Sequence, residues 1–180
     1  MQEGKVVKVF QTSDVEIICR YPRWTDLDAF IDMHLTLTWE RVMCRRLKLD
    51  RDSGGRMLKD ILIALKAGKS GYLFVERQGE LVGEGFTNPS GYSYYTVGLA
   101  LVRCVQGMGI GTQLMWALEE ESRRLGAKRL HLTVWSENHA AVRVYRKVGY
   151  TECGRRPGWI RMDDGSACDL LDMTKVIPTG

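Results

Sequence analysis

Hydrophobic positions along this chain fall into two periods, one close to strand spacing and one close to helix spacing. Tyr95-Thr96-Val97-Gly98-Leu99-Ala100-Leu101-Val102 is a short, nearly continuous apolar run that reads as a buried strand. After a glycine-rich gap, Ile110, Leu114, Ala117, Leu118 and Leu125 recur on one helical face. Gly126 stops that helix behind Arg123 and Arg124, which suit the negative end of its dipole. Arg129–Trp135 predicts another strand, and residues 138–148 a further helix. Upstream, Val15–Cys19 predicts a first strand, and Thr25-Asp26-Leu27-Asp28 opens a helix with a Thr-x-x-Asp capping box. The stretch from Leu37 to Gly55 has no clear period, and a second helix is expected over Arg56–Ala67. Tyr72–Arg77 and Glu80–Thr87 pair as a hairpin across Gln78-Gly79, and Asn88-Pro89-Ser90-Gly91 breaks the chain. Thr151–Arg156 and Ala167–Lys175 read as strands, with Asp163-Asp164-Gly165 as a turn between them. The pattern is that of one domain over residues 1–180, with 1–14 as an N-terminal extension and no internal repeat.

The gap between the strand and the helix carries the chemistry. Gln106-Gly107-Met108-Gly109-Ile110-Gly111 sits where a helix begins, so unpaired backbone N–H groups and the positive end of a dipole can hold a phosphate. Glycines there let the main chain approach closely. Three phosphate-binding loops compete. A dinucleotide fingerprint spaces its glycines G-x-G-x-x-G and ends the next strand on an acid; here glycines alternate at 107, 109 and 111, and the following run Arg129–Trp135 ends without an acid until Glu137. A nucleoside-triphosphate loop places Lys-Ser or Lys-Thr directly after its last glycine; Gly111-Thr112 has no lysine, and Gly68-Lys69-Ser70 lacks the earlier glycine because position 63 is Ile. A Gln/Arg-x-x-Gly-x-Gly/Ala loop is filled completely by Gln106, Gly109 and Gly111.

A second block lies downstream. In Asn138-His139-Ala140-Ala141-Val142-Arg143-Val144-Tyr145-Arg146-Lys147-Val148-Gly149-Tyr150, Asn138 and Tyr145 are two helical turns apart, so they share a face with roughly 10 Å between them along the axis. Taken singly, Asn138 reads as a helix N-cap and Tyr145 as a half-buried core aromatic. Together with the loop, they can flank an extended ligand and place a phenol near its far end.

These two blocks resemble the GCN5-related N-acetyltransferase family, whose members transfer an acyl group from acetyl-CoA to amines. The resemblance covers roughly residues 15–176, with discriminating motifs over about 95–150. It implies an α/β single domain with a central mixed, largely antiparallel sheet of about seven strands and helices on both faces. It also implies acetyl-CoA as cosubstrate, no metal, and a primary amine of a small molecule, peptide or protein as acceptor. Carried over by position, the main chain of Leu99, Ala100 and Leu101 would hold the pantetheine arm. Gln106, Gly107, Met108, Gly109, Ile110, Gly111 and Thr112 would hold the pyrophosphate. Asn138 would contact the cofactor, and Tyr145 would protonate the departing sulfur. Many relatives carry a glutamate base on the fourth or fifth strand; those positions here are Thr96 and Thr133, which leaves Glu84 and Glu137 as candidates, and Glu84 is the preferred one. Trp24, His34, Trp39, Glu40, Tyr92, Tyr94, Trp159 and Arg161 are candidates for the acceptor cleft. A non-catalytic acyl-CoA sensor is the competing reading.

Composition narrows this picture only slightly. A chain of 180 residues that is 44% hydrophobic has enough apolar side chains for a substantial core. The net charge of +4 is modest, and Arg45-Arg46 and Arg155-Arg156 have no interleaved aromatics, so nucleic-acid binding is not expected. No apolar run reaches membrane-spanning length and the first residues lack a signal-peptide core, which makes the cytoplasm the expected location and a homodimer an open expectation. The cysteines at 19, 44, 104, 153 and 168 form no C-x-x-C pair, and His34, His131 and His139 are scattered, so neither a disulfide framework nor a metal site is expected.

Overall fold

The computed structural model describes residues 2–12, 15–42, 48–162 and 165–178. Eight strands form a single sheet: β1 (Val6–Thr12), β2 (Val15–Arg20), β3 (Gly71–Arg77), β4 (Glu80–Pro89), β5 (Tyr94–Leu101), β6 (Arg129–Trp135), β7 (Thr151–Arg161) and β8 (Ala167–Val176). Their order is β1-β2-β3-β4-β5-β6-β8-β7, and every neighbouring pair is antiparallel except β5 and β6. The helices are α1 (Leu27–Trp39), α2 (Arg51–Lys66), α3 (Ile110–Arg124) and α4 (His139–Lys147). Residues 6–12, within the stretch read as an extension, form the edge strand β1, which pairs with β2.

Alternation along the central strands places helices on both faces. On β4, Glu84 reaches His34 of α1, whereas a Cβ at the next residue, Gly85, would stand 2.7 Å from Leu118 and 3.2 Å from Leu114 of α3. That glycine lets α3 lie close against the sheet. Two residues on, Thr87 bonds Ser122 of α3 at 2.6 Å, as the period of two requires. The α3 face contributes fully buried Leu114, Met115 and Leu118, and the α1 face contributes Phe30 and Leu37.

Several boundaries differ from the pattern-based expectation. α2 begins at Arg51 rather than Arg56, because the Asp50 carboxylate accepts from Ser53 N at 2.7 Å and caps the first turn. Gly54, which broke the apparent pattern, lies where a Cβ would stand 2.7 Å from the Ile31 side chain, so it permits the close α1–α2 approach. At the start of α1, Thr25 is not the cap. Asp26 precedes the helix, and its carboxylate instead holds the buried Arg20 guanidinium through bonds of 2.7 and 2.9 Å and the Arg23 N–H at 2.7 Å. β7 continues past Arg156 to Arg161 with a register shift between Arg156 and Ile160; it is an edge strand, where Pro157 removes no ladder bond. The β3–β4 hairpin turns on Gln78 and Gly79, both at positive φ (52° and 85°), as a tight two-residue hairpin requires. The Asp163-Asp164 part of the last expected turn and the Arg45-Arg46 pair lie outside the described residues.

One irregularity creates the site. β5 and β6 pair only through Tyr94–Arg129, Tyr95–Leu130 and Thr96–His131. Beyond Thr96, β5 remains bonded to β4 as far as Leu101, while β6 runs on with β8 as its partner. The sheet therefore splits, and one edge of β5 is left without a strand.

Candidate active site

A short turn at Arg103–Val105 follows β5, and the loop 106–109 leads into α3. Gly107 and Gly109 have φ of 79° and 80°, a left-handed conformation that side chains resist, and a Cβ at either would meet no atom within 4 Å. The N–H groups of residues 107–111 have no protein partner among the described residues, and they lie at the positive end of α3. Gln106 donates from Nε2 to Leu101 O at 2.8 Å and so ties the loop back to β5. Ile110 is 1% exposed and Met108 packs against the core, and neither is among the described residues that line the groove beside the loop.

The loop forms one side of a groove of about 320 Å3 that also includes Leu99, Ala100 and Leu101 of β5, Gly111 and Thr112 of α3, and Asn138, Ala141, Val144 and Tyr145. Open space beside two left-handed glycines, a run of free donors and a helix start together fit a diphosphate. Asn138 caps α4, its Oδ1 accepting from Ala141 N at 3.1 Å, and it lines the groove as well. Tyr145 is 5% exposed, and its hydroxyl has no partner among the described residues. Burial alone pushes its pKa up to about 12, so the phenol stays protonated at neutral pH.

A second cavity, of about 670 Å3, lies on the α1–α2 side and shares Leu99, Ala100, Asn138 and Tyr145 with the groove. The two spaces meet where the sheet splits. Glu84 lines this cavity and is nearly buried; its Oε2 accepts from the Tyr72 hydroxyl at 2.5 Å and lies 3.0 Å from His34 Nε2. Oε1 takes no protein partner among the described residues. Burial, then the charge of Glu84, raises the Tyr72 pKa well above its ordinary value, so Tyr72 donates to the carboxylate. His34 Nδ1 is buried without a partner among the described residues. An unpaired N–H costs more there than an unpaired lone pair, and the network therefore assigns the proton to Nε2, which donates to Glu84.

Of the candidate acceptor-cleft residues, His34 alone lines this cavity among the described residues. Trp39 is 85% exposed, Glu40 accepts from Arg103 N, and Trp159 stacks on Arg156. Glu137 points outward beside His139, whereas Thr133 does line the cavity. Sequence reasoning missed Tyr72, Phe86, Trp135 and the α2 positions Met57, Asp60, Ile61 and Ala64. The last four recur at helical spacing, and an acid in an otherwise apolar stripe is the signal that could have found them. Cys104 and Cys153 are exposed and Cys19 and Cys168 buried; no metal-ligand cluster occurs among the described residues.

The sequence model of the Acetyltransferase (GNAT) family matches residues 35–150. The chain belongs to that family, whose cosubstrate is acetyl-CoA. It is 40% identical over 50 residues to the uncharacterized N-acetyltransferase YdgE of Bacillus subtilis, a match spanning 28% of this chain and 32%, about a third, of that relative. Its fold is that of yncA from Salmonella typhimurium, solved with its cofactor acetyl-CoA (TM-score 0.78, 18% identity, 91% of this chain and 95% of that one). It is likewise similar in fold to a ribosomal-protein-alanine N-acetyltransferase from Brucella melitensis (TM-score 0.75, 22% identity, 88% and 99%). No described helix is long and apolar enough to cross a membrane.

Proposed function

We propose that the protein transfers an acetyl group from acetyl-CoA to a primary amine by direct attack in a ternary complex. The observation that carries this reading is the meeting of two unlike spaces at Tyr145, one lined by free backbone donors and the other by a held carboxylate. Acetyl-CoA supplies an acyl thioester, whose C–S bond breaks as the amine nitrogen forms the amide. The chain's own groups perform the rest. Main-chain donors of residues 107–111 bind the diphosphate, and the free edge of β5 aligns the acyl oxygen. His34 and Tyr72 fix Oε2 of Glu84, which leaves Oε1 to take one proton from the incoming ammonium, a group with a pKa of about 10 and so mostly charged at neutral pH. Tyr145 gives its proton at the sulfur position, the second amine proton restores it through solvent, and Glu84 releases the first to solvent. Because burial raises its pKa to about 12, the phenol carries its proton at neutral pH and has one to give.

The test is thiol release from acetyl-CoA across a panel of primary amines. Tyr145→Phe is expected to lower kcat about a hundredfold or more while the KM for acetyl-CoA stays within a few-fold. Acetyl-CoA binding without turnover of any amine would favour a sensor instead.

A further inference from the structure

The acceptor-side cavity has a charge pattern opposite in sign to the chain's net +4. Glu84 lies in its buried part with Oε1 unpaired, and Asp60 stands exposed on α2 with no ion-pair partner among the described residues. Aromatic side chains line the space as well: the Tyr72 and Phe86 rings stack with centroids 6.5 Å apart, and Trp135 of β6 is a further lining residue. No lysine or arginine is among the described lining residues.

We infer that the acceptor is a small diamine-type cation, an inference that rests on the acetyl-transfer reading. The reacting amine sits at Glu84, a second ammonium is held by Asp60, and the hydrocarbon between them lies along Tyr72, Phe86 and Trp135. Carboxylates and aromatic faces both offset the cost of stripping water from a cation. A simple monoamine leaves Asp60 unused. An amino acid would bring its own carboxylate towards Glu84 and Asp60, where like charges repel.

The experiment compares putrescine, n-butylamine, γ-aminobutyrate and a short peptide with a free N-terminus in the thiol-release assay. Putrescine is expected to have a kcat/KM at least about tenfold above n-butylamine, with γ-aminobutyrate the poorest. Asp60→Asn is expected to shrink the putrescine-to-butylamine ratio about fivefold, as loss of a partly exposed ion pair would. Asp60 is exposed, so the variant retains its fold. Equal or better turnover of n-butylamine, γ-aminobutyrate or the peptide overturns the inference and leaves acetyl transfer standing. An unchanged ratio in Asp60→Asn also overturns it, and turnover of no amine overturns both readings.

Discussion

Replacing Gly109 by alanine separates the cost of folding the loop from its use. Gly109 has φ of 80°, and a Cβ built there touches nothing within 4 Å, so the folded state suffers backbone strain and no clash. That strain is about 1–2 kcal/mol for a side chain in the left-handed region. In a chain of 180 residues this lowers Tm by about 2–8 °C, since each kcal/mol is worth about 2–4 °C at this size. Binding should suffer more. The new methyl group stands beside N–H groups that have no protein partner, and loss of one charge-assisted hydrogen bond costs about 1.5–3 kcal/mol, a weakening of coenzyme A of about tenfold to a hundredfold. Gly126 is the control: its φ is 90°, a Cβ there is equally free of contacts, and it lies at the far end of α3 outside the groove. Gly126→Ala should lose similar stability and retain its affinity. Thermal melts with calorimetric titration of coenzyme A read both quantities. Equal affinities in the two variants would refute the diphosphate-cradle argument.

Two further outcomes follow from the buried groups. Glu84→Gln should lower kcat about a hundredfold or more while keeping coenzyme A affinity near that of the parent, because Glu84 lines the acceptor cavity and not the cofactor groove; steady-state kinetics with a fixed amine and a binding titration check this. Tyr145 should contribute to alkaline unfolding. Its pKa rises from 10 to about 12 on folding, so its contribution of about 3 kcal/mol is fully present below pH 10 and is lost as pH climbs to 12. Denaturant titrations at several pH values should show a shallower loss in Tyr145→Phe over that window, and parallel curves would contradict the assignment.

Local pattern determined most of the elements because each is encoded within a few residues of itself. The 129–135 strand, the helix from Ile110 and the Asn138 cap follow from apolar spacing, glycines and a single amide. The glycine loop before α3, proposed to hold a diphosphate, was legible as a loop for the same reason: it is built of consecutive main-chain groups, and the glycines that free them are adjacent in sequence. What local pattern could not determine is anything that depends on distant segments meeting. Gly54 sits inside α2 because a Cβ there would meet Ile31 of α1, and Thr25 is passed over as a cap while the Asp26 carboxylate holds both the Arg23 N–H and the buried Arg20 guanidinium. The candidate base was only one glutamate among several until α1 and β3 brought His34 and Tyr72 onto the same carboxylate oxygen. The acceptor cavity likewise draws on α1, α2, β3, β4, β5, β6 and α4. Its chemistry exists only after a parallel strand pair stops bonding at Thr96, because periodicity fixes which face a residue occupies while tertiary packing alone fixes which faces share a space.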